Sequence, residues 1–161
     1  GPAAGGSGEG VPGAPPPAAA RDLRLEPADL LHLAASLEDA PLFRLTGGTH
    51  SAAVAPASAL RGDSAVRRED ISRHSALDKV VGHLWLAGRL RSDGPFVLAT
   101  SGRVPFEVLE RAVRAGFPVV VSRGAPTLMA VETAGRLGLT LVGFARDGRM
   151  NIYSGPERVK V

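Results

Sequence analysis

Three short segments join small residues to arginine: Ser101-Gly102-Arg103, Ser122-Arg123-Gly124 and Ala145-Arg146-Asp147-Gly148-Arg149. Small residues let a ligand come close to the backbone, and a guanidinium fork matches phosphate or carboxylate oxygens. Pro105 and Pro126 follow the first two segments and suit a first helical turn. Two of the segments therefore sit at helix starts, where unpaired N–H groups and a partial positive charge favour an anion. A lone Ser-Gly-Arg is only a turn. Three such segments on one rim of one sheet make an anion site.

A fourth stretch, Arg67 to Lys79, is dense in charges of both signs and reads as a charged loop. An apolar helical pattern follows it: Leu77, Val80, Val81, Leu84 and Trp85. Arg73 and His74 stand at the start of that helix and are candidates for holding a phosphate. Against this, charged runs are usually solvated faces, and Glu69 or Asp70 would serve equally well as a helix cap. Thr46-Gly47-Gly48-Thr49-His50 offers paired glycines and a histidine. His50 and His74 lie in candidate loops and could bond a ligand or move a proton, with Asp70 or Asp78 as orienting carboxylate. Two histidines without a third ligand do not make a metal site. His32 and His83 read as surface and edge positions of helices.

Several chemistries are absent. The chain has no Gly-x-x-x-x-Gly-Lys loop, no Gly-x-Gly-x-x-Gly fingerprint and no Gly-x-Ser-x-Gly elbow. It has 161 residues and no cysteine, which excludes disulfides, thiolate metal ligands and a thiol nucleophile. The net charge is +3 with a pI near 10.2, and the basic residues are nearly all arginine. Aromatic residues are only 4%, too few for the stacking rings of a single-stranded nucleic-acid groove, so no nucleic-acid partner is expected. No apolar run reaches a membrane-spanning length and no secretory leader is legible. The expectation is a cytoplasmic protein with no membrane partner.

The elements that must position these residues follow from periodicity. Residues 1–20 hold six glycines and five prolines and read as a flexible linker; the Gly1-Pro2 start reads as a piece of a longer chain or a cleavage scar. Pro27 to Leu37 reads as a helix and Leu42 to Leu45 as a strand. Ser51 to Ala55 and Ala65 to Arg68 read as a hairpin turning near Arg61-Gly62-Asp63. Leu77 to Leu86 reads as a helix. Beyond it the pattern alternates: strand Phe96 to Thr100, helix Pro105 to Ala115 with Phe106, Leu109 and Val113 inward, and strand Val119 to Val121. Then come helix Pro126 to Leu137 with Leu128, Val131 and Leu137 inward, strand Leu139 to Phe144, and strand Met150 to Tyr153 across an Asp147-Gly148 turn. That order predicts a parallel core with right-handed crossovers, an antiparallel hairpin at the end and another at the start. In such sheets ligands bind beyond the carboxyl ends of the parallel strands, where the arginine segments fall.

Six blocks in order carry a resemblance: Thr46 to Ala53; Arg68 to Lys79; Ser101-Gly102-Arg103 with Phe106-Glu107; Ala125-Pro126-Thr127 with Ala130-Val131-Glu132; Leu139 to Phe144; and Tyr153 with Pro156-Glu157-Arg158. The chain resembles the formate dehydrogenase accessory sulfurtransferase family, FdhD, from about Leu42 to Arg158. The resemblance implies an α/β fold of cytidine-deaminase type: three αβα layers around a mixed, mainly parallel sheet, without the deaminase zinc. It makes residues 21–161 a cofactor-binding domain.

Family members accept persulfide sulfur from a cysteine desulfurase and pass it to the molybdenum or tungsten bis-molybdopterin guanine dinucleotide cofactor before it enters formate dehydrogenase. The implied partners are that desulfurase and formate dehydrogenase; a homodimer is compatible, but no interface is legible. The family's cofactor contact maps to Phe144, Ala145, Arg146, Asp147, Gly148 and Arg149. Joined to the residues read above, the expected site is completed by Ser101, Gly102, Arg103, Gly47, Gly48, His50, Arg73, His74 and Asp78. GDP is the expected mimic of the cofactor's nucleotide half. The family's Cys-x-x-Cys loop has no counterpart here. Ser72 stands where the family has glycine, Ser75 where it has asparagine, Val104-Pro105 where it has a small residue and serine, and Gly124 where it has serine. Three readings stay open: the cofactor-binding part of a sulfurtransferase, a cysteine-free nucleotide- or pterin-binding scaffold, and an enzyme using His50 or His74 in a deaminase-like cleft.

Overall fold

The computed structural model describes residues 20–90 and 92–161. The linker expected over residues 1–20 lies outside them except for Ala20, which is buried and accepts a hydrogen bond from Arg158 Nε at 2.9 Å.

Six strands form one sheet in the order β2-β1-β3-β4-β5-β6. They are β1 His50–Pro56, β2 Val66–Asp70, β3 Phe96–Thr100, β4 Val119–Ser122, β5 Thr140–Arg146 and β6 Arg149–Ser154. β3, β4 and β5 run parallel, while β1 is antiparallel to both β2 and β3, and β6 is antiparallel to β5. The mixed three-layer α/β arrangement therefore holds, with an antiparallel hairpin at each flank. The central strands are apolar on both sides because both faces are covered. On one face α3 (Arg73–Leu86), α4 (Phe106–Arg114) and α5 (Leu128–Leu137) set Leu77, Leu84, Leu109 and Ala130 against Val54, Leu98, Val120 and Leu141. On the other, α1 (Pro27–Ala35) and the 3-10 turn Ser36–Glu38 set Leu30, Leu33 and Leu37 against Ala53, Val97, Val121 and Val142.

Four expectations need correction. Leu42 to Leu45 is not a strand but most of the short helix α2, Pro41–Thr46. Pro41 presets its first turn, and Gly47 ends it in the left-handed region at φ +65°. Its apolar residues point outward, so the run that mimics a buried strand is surface: Leu45 is 82% exposed. The charged stretch is not a loop but strand β2 leading into α3, which starts at Arg73, with Ser72 Oγ accepting from Ser75 N. Trp85 and Leu128 are exposed, although their spacing matched the inward stripes. Finally, α4 buries Val108, Leu109 and Ala112, and α5 buries Ala130, Thr133 and Ala134; of the stripes expected, Leu109 is fully buried, while Val113, Val131 and Leu137 pack against the core only part-buried. The small residues let these helices pack closely on the sheet.

Candidate functional site

The carboxyl ends of β3, β4 and β5 share one rim, and the register of β1 and β2 brings more residues to it. Ala52 lies opposite Thr100, and His50 opposite Asp70. The amino end of β1, the carboxyl end of β2 and the start of α3 therefore meet the three arginine segments at one edge.

The loops there are tied together. Ser101 N donates to Ser51 O at 3.0 Å, and Ser51 N donates to Ser101 Oγ at 2.9 Å. Ser122 Oγ donates to Gly102 O and accepts from Gly124 N at 2.9 Å. Phe144 N donates to Gly124 O at 3.0 Å. A Cβ on Gly124 would stand 3.1 Å from Arg103 N, so the two loops are in van der Waals contact through glycine. A Cβ on Gly102 would meet His50 Nδ1 at 3.2 Å and Arg73 Nε at 3.8 Å, which brings His50, Gly102 and Arg73 into one cluster. His74 follows Arg73 at the start of α3, and its Nε2 is buried with no hydrogen-bond partner among the described residues.

Two hollows open on this edge. The larger is a cleft of about 560 Å³ whose lining includes Leu37, Glu38, Phe43, Arg44, the Gly47–Ser51 run, Ser101 and Arg123. Its size suits a small-molecule site. The smaller, about 300 Å³, is formed by Phe144, Arg146, Asp147, Arg149, Met150 and Asn151. Arg146 lies 5.9 Å from the Phe144 ring centroid, a cation–π distance. Phe144 (φ 53°) and Asp147 (φ 54°) both occupy the left-handed region, costing about 1–2 kcal/mol for a residue with Cβ. Strain of this kind gathers at functional positions.

Of the expected site residues, Gly47, Gly48, His50 and Ser101 line the cleft, with Gly102 and Arg73 beside His50. Phe144, Arg146, Asp147 and Arg149 line the second hollow, and Gly148 completes the tight turn at φ 70°. Ala145 faces the α1-side core. Arg103 is exposed on the connecting loop. Asp78 does not reach the edge: it lies more than a turn along α3 and pairs with Arg111 of α4 at 3.0 Å. Sequence reading missed Glu38, Phe43 and Arg44, because their segment reads as strand and turn rather than as a wall. Arg123 belongs to the second arginine segment and lines the cleft together with Arg44. Among the described residues no group of three or more His, Asp or Glu side chains could hold a metal ion.

Glu69 fixes one wall of the cleft. Its carboxylate accepts from Leu42 N at 3.0 Å, Phe43 N at 2.8 Å and Thr49 Oγ1 at 2.8 Å, capping α2 and anchoring the segment that carries Gly47 and Gly48. Partial burial pushes this carboxyl up. The Leu42 N–H, the Thr49 hydroxyl, the Phe43 N–H and the Arg44 charge outweigh that and hold it below its ordinary 4.5. Its contribution to stability is full above the ordinary value and is lost as pH falls through the lowered one. Glu69→Ala is expected to cost about 1–2 kcal/mol, the loss of a helix cap. Hydrogen exchange over residues 41–49 should rise before that of the sheet; uniform protection across the chain would refute the anchoring role.

His50 is half-buried. Burial, and then the charge of Arg73, lower its imidazole below the ordinary 6.5, so it is neutral at neutral pH. The unfolded chain takes up the proton more readily than the folded one. Stability from this residue is therefore full above 6.5 and declines as pH falls below it. His50→Gln is expected to flatten the fall in Tm between about pH 7 and about pH 5. An identical fall in both proteins would show that His50 is not held neutral by its surroundings.

The FdhD/NarQ family model matches residues 6–160. The chain is 43% identical over 139 residues to the sulfur carrier protein FdhD of Thermoplasma acidophilum, covering 86% of this chain and 48% of that protein. It is 43% identical over 138 residues to the sulfur carrier protein FdhD of Streptomyces avermitilis, covering 85% of this chain and 48% of that protein. The crystal structure of a Desulfotalea psychrophila protein described as a formate dehydrogenase accessory protein superposes with a TM-score of 0.74. It is 29% identical and covers 91% of this chain and 60% of that one. The chain thus spans about half the length of the curated relatives it matches. With a family model spanning nearly all of it and relatives above 40% identity, the chain belongs to the FdhD/NarQ family.

Proposed function

We propose that this chain binds the molybdenum or tungsten bis-molybdopterin guanine dinucleotide cofactor, as cargo, for its sulfuration and delivery to formate dehydrogenase. The observation that carries this reading is the two-part edge: a largely apolar-walled cleft that also holds Arg44 and Arg123, beside an arginine hollow. Leu37, Ala40 and Phe43 give the cleft a wall for a flat heterocycle, and neutral His50 and the Ser101 hydroxyl offer hydrogen bonds to it. Arg123 in the cleft and Arg146 and Arg149 next door offer charge to phosphates. Each hollow suits one portion of a nucleotide, so the cofactor would be held by part of its length. The cofactor supplies the metal and its sulfur chemistry; this chain's residues bind and orient it.

The desulfurase and the dehydrogenase remain the proposed partners. The 161 residues contain no thiol, so no persulfide forms on them, and the sulfur step falls outside this chain. That same absence favours a second reading, a binding scaffold that hands on the cofactor unchanged. Sulfur analysis of cofactor before and after passage through the chain separates the two.

The proposal is tested by titrating GDP calorimetrically at rising salt. Binding should weaken as salt screens the arginine–phosphate attraction. No heat and no thermal shift with any guanine nucleotide would overturn the reading.

A further inference from the structure

The better-buried of the cleft's two arginines is already occupied. Arg123 N donates to Thr100 O at 3.1 Å, which fixes its backbone between the ends of β3 and β4. Its guanidinium crosses to the 3-10 turn after α1 and pairs with Glu38 Oε1. The partners are unequal: the Arg123 side chain is 23% exposed, that of Glu38 68%. The arginine is held by the scaffold, while the carboxylate sits in solvent at the lip. A pair exposed on one side contributes little, so releasing the carboxylate costs little. A phosphate brings more charge and a bidentate match to the same fork.

We propose that Glu38 is an anion-displaceable latch on Arg123, so that Glu38 sets how tightly the cleft takes a phosphate-bearing ligand. This rests on the nucleotide-binding reading and adds to it a named competitor. In the latched state the carboxylate neutralises Arg123 and repels stray monovalent anions. A ligand with a diphosphate replaces Glu38, which swings into water. The neighbouring pair is built differently. Arg44 bonds Asp39 at 2.7 Å, but both side chains are mostly exposed, at 64% and 75%. Removing Asp39 changes the local charge by the same amount without freeing a scaffold-held arginine.

The test uses the whole chain, with GDP and inorganic pyrophosphate as probes, titrated calorimetrically at one fixed salt concentration. Glu38→Gln is expected to tighten binding of both by about two- to fivefold, the worth of an exposed pair. Asp39→Asn is expected to tighten it less, and Arg123→Ala to weaken it by at least about tenfold. In the wild type the Arg123 Nε–H resonance should move on adding pyrophosphate and should already be shifted in Glu38→Gln. Wild-type binding with Glu38→Gln unchanged or weaker overturns the latch but leaves the nucleotide reading standing. Equal gains from Glu38→Gln and Asp39→Asn reduce the effect to general charge and also overturn it. If neither probe binds any form, the latch and the reading beneath it both fail.

Discussion

Gly155→Ala is expected to lower stability by about 2–5 kcal/mol, combining the left-handed backbone cost with overpacking. Gly155 has φ +60°, and a Cβ there would stand 2.6 Å from Leu139 O, 2.6 Å from Thr140 Oγ1 and 2.8 Å from Thr140 Cα. Two of these three are backbone atoms at the entry to β5 and cannot swing aside. The same corner holds Thr140 Oγ1 donating to Gly155 O at 2.7 Å and the buried Arg158, whose Nη1 donates to Thr140 Oγ1 at 3.2 Å. Arg158 also ties the chain's incoming segment through Ala20 O. This corner lies at the amino end of β5, opposite the candidate site. Urea unfolding should show a lower midpoint, while the ligand affinity of the folded fraction is kept. An unfolding free energy within about 0.5 kcal/mol of the wild type, the range of ordinary surface changes, would show that the corner relaxes freely.

Arg149→Ala is expected to weaken GDP binding by about 1–3 kcal/mol, the worth of a hydrogen bond to a charged group. Arg149 lines the second hollow and makes no ion pair among the described residues, so nothing competes with a ligand for it. Arg146, beside it, already rests over the Phe144 ring. Because Arg149 is exposed, its loss should leave the unfolding midpoint in place and act on binding alone. Arg103→Ala carries the same expectation for binding, if Arg103 reaches the phosphates from the β3–α4 loop. The salt dependence should also become shallower as a phosphate contact is lost. An unchanged Kd with an unchanged salt slope would remove Arg149 from the site.

The alternating second half was legible because its signals agree. Apolar runs of strand length, proline at helix starts and glycine at helix ends all point to the same βαβαβ order. The Asp147-Gly148 turn was legible for the same reason. Residues 41–46 were not. Leu42, Phe43 and Leu45 look buried by type, and only Glu69, far along the chain, decides that they form a surface helix. That bond is tertiary, so no local pattern reports it. The site was legible as an edge but not as a shape. Arginine segments mark the carboxyl rim, yet which guanidinium enters which hollow depends on distant partners such as Glu38 and the Phe144 ring. Asp78 shows the same limit from the other side. Its block resembles a family motif, but its position along α3 carries it to Arg111 and away from the rim.

Both hollows are expected to serve one ligand. Amide chemical-shift mapping of the chain titrated with GDP tests it most directly. Resonances of Gly47, Gly48, His50, Ser101 and Arg123 are expected to move together with those of Arg146, Asp147 and Arg149, along one binding curve. Shifts confined to one hollow, two curves of different affinity, or movement only around Asp78 and Arg111 would contradict it.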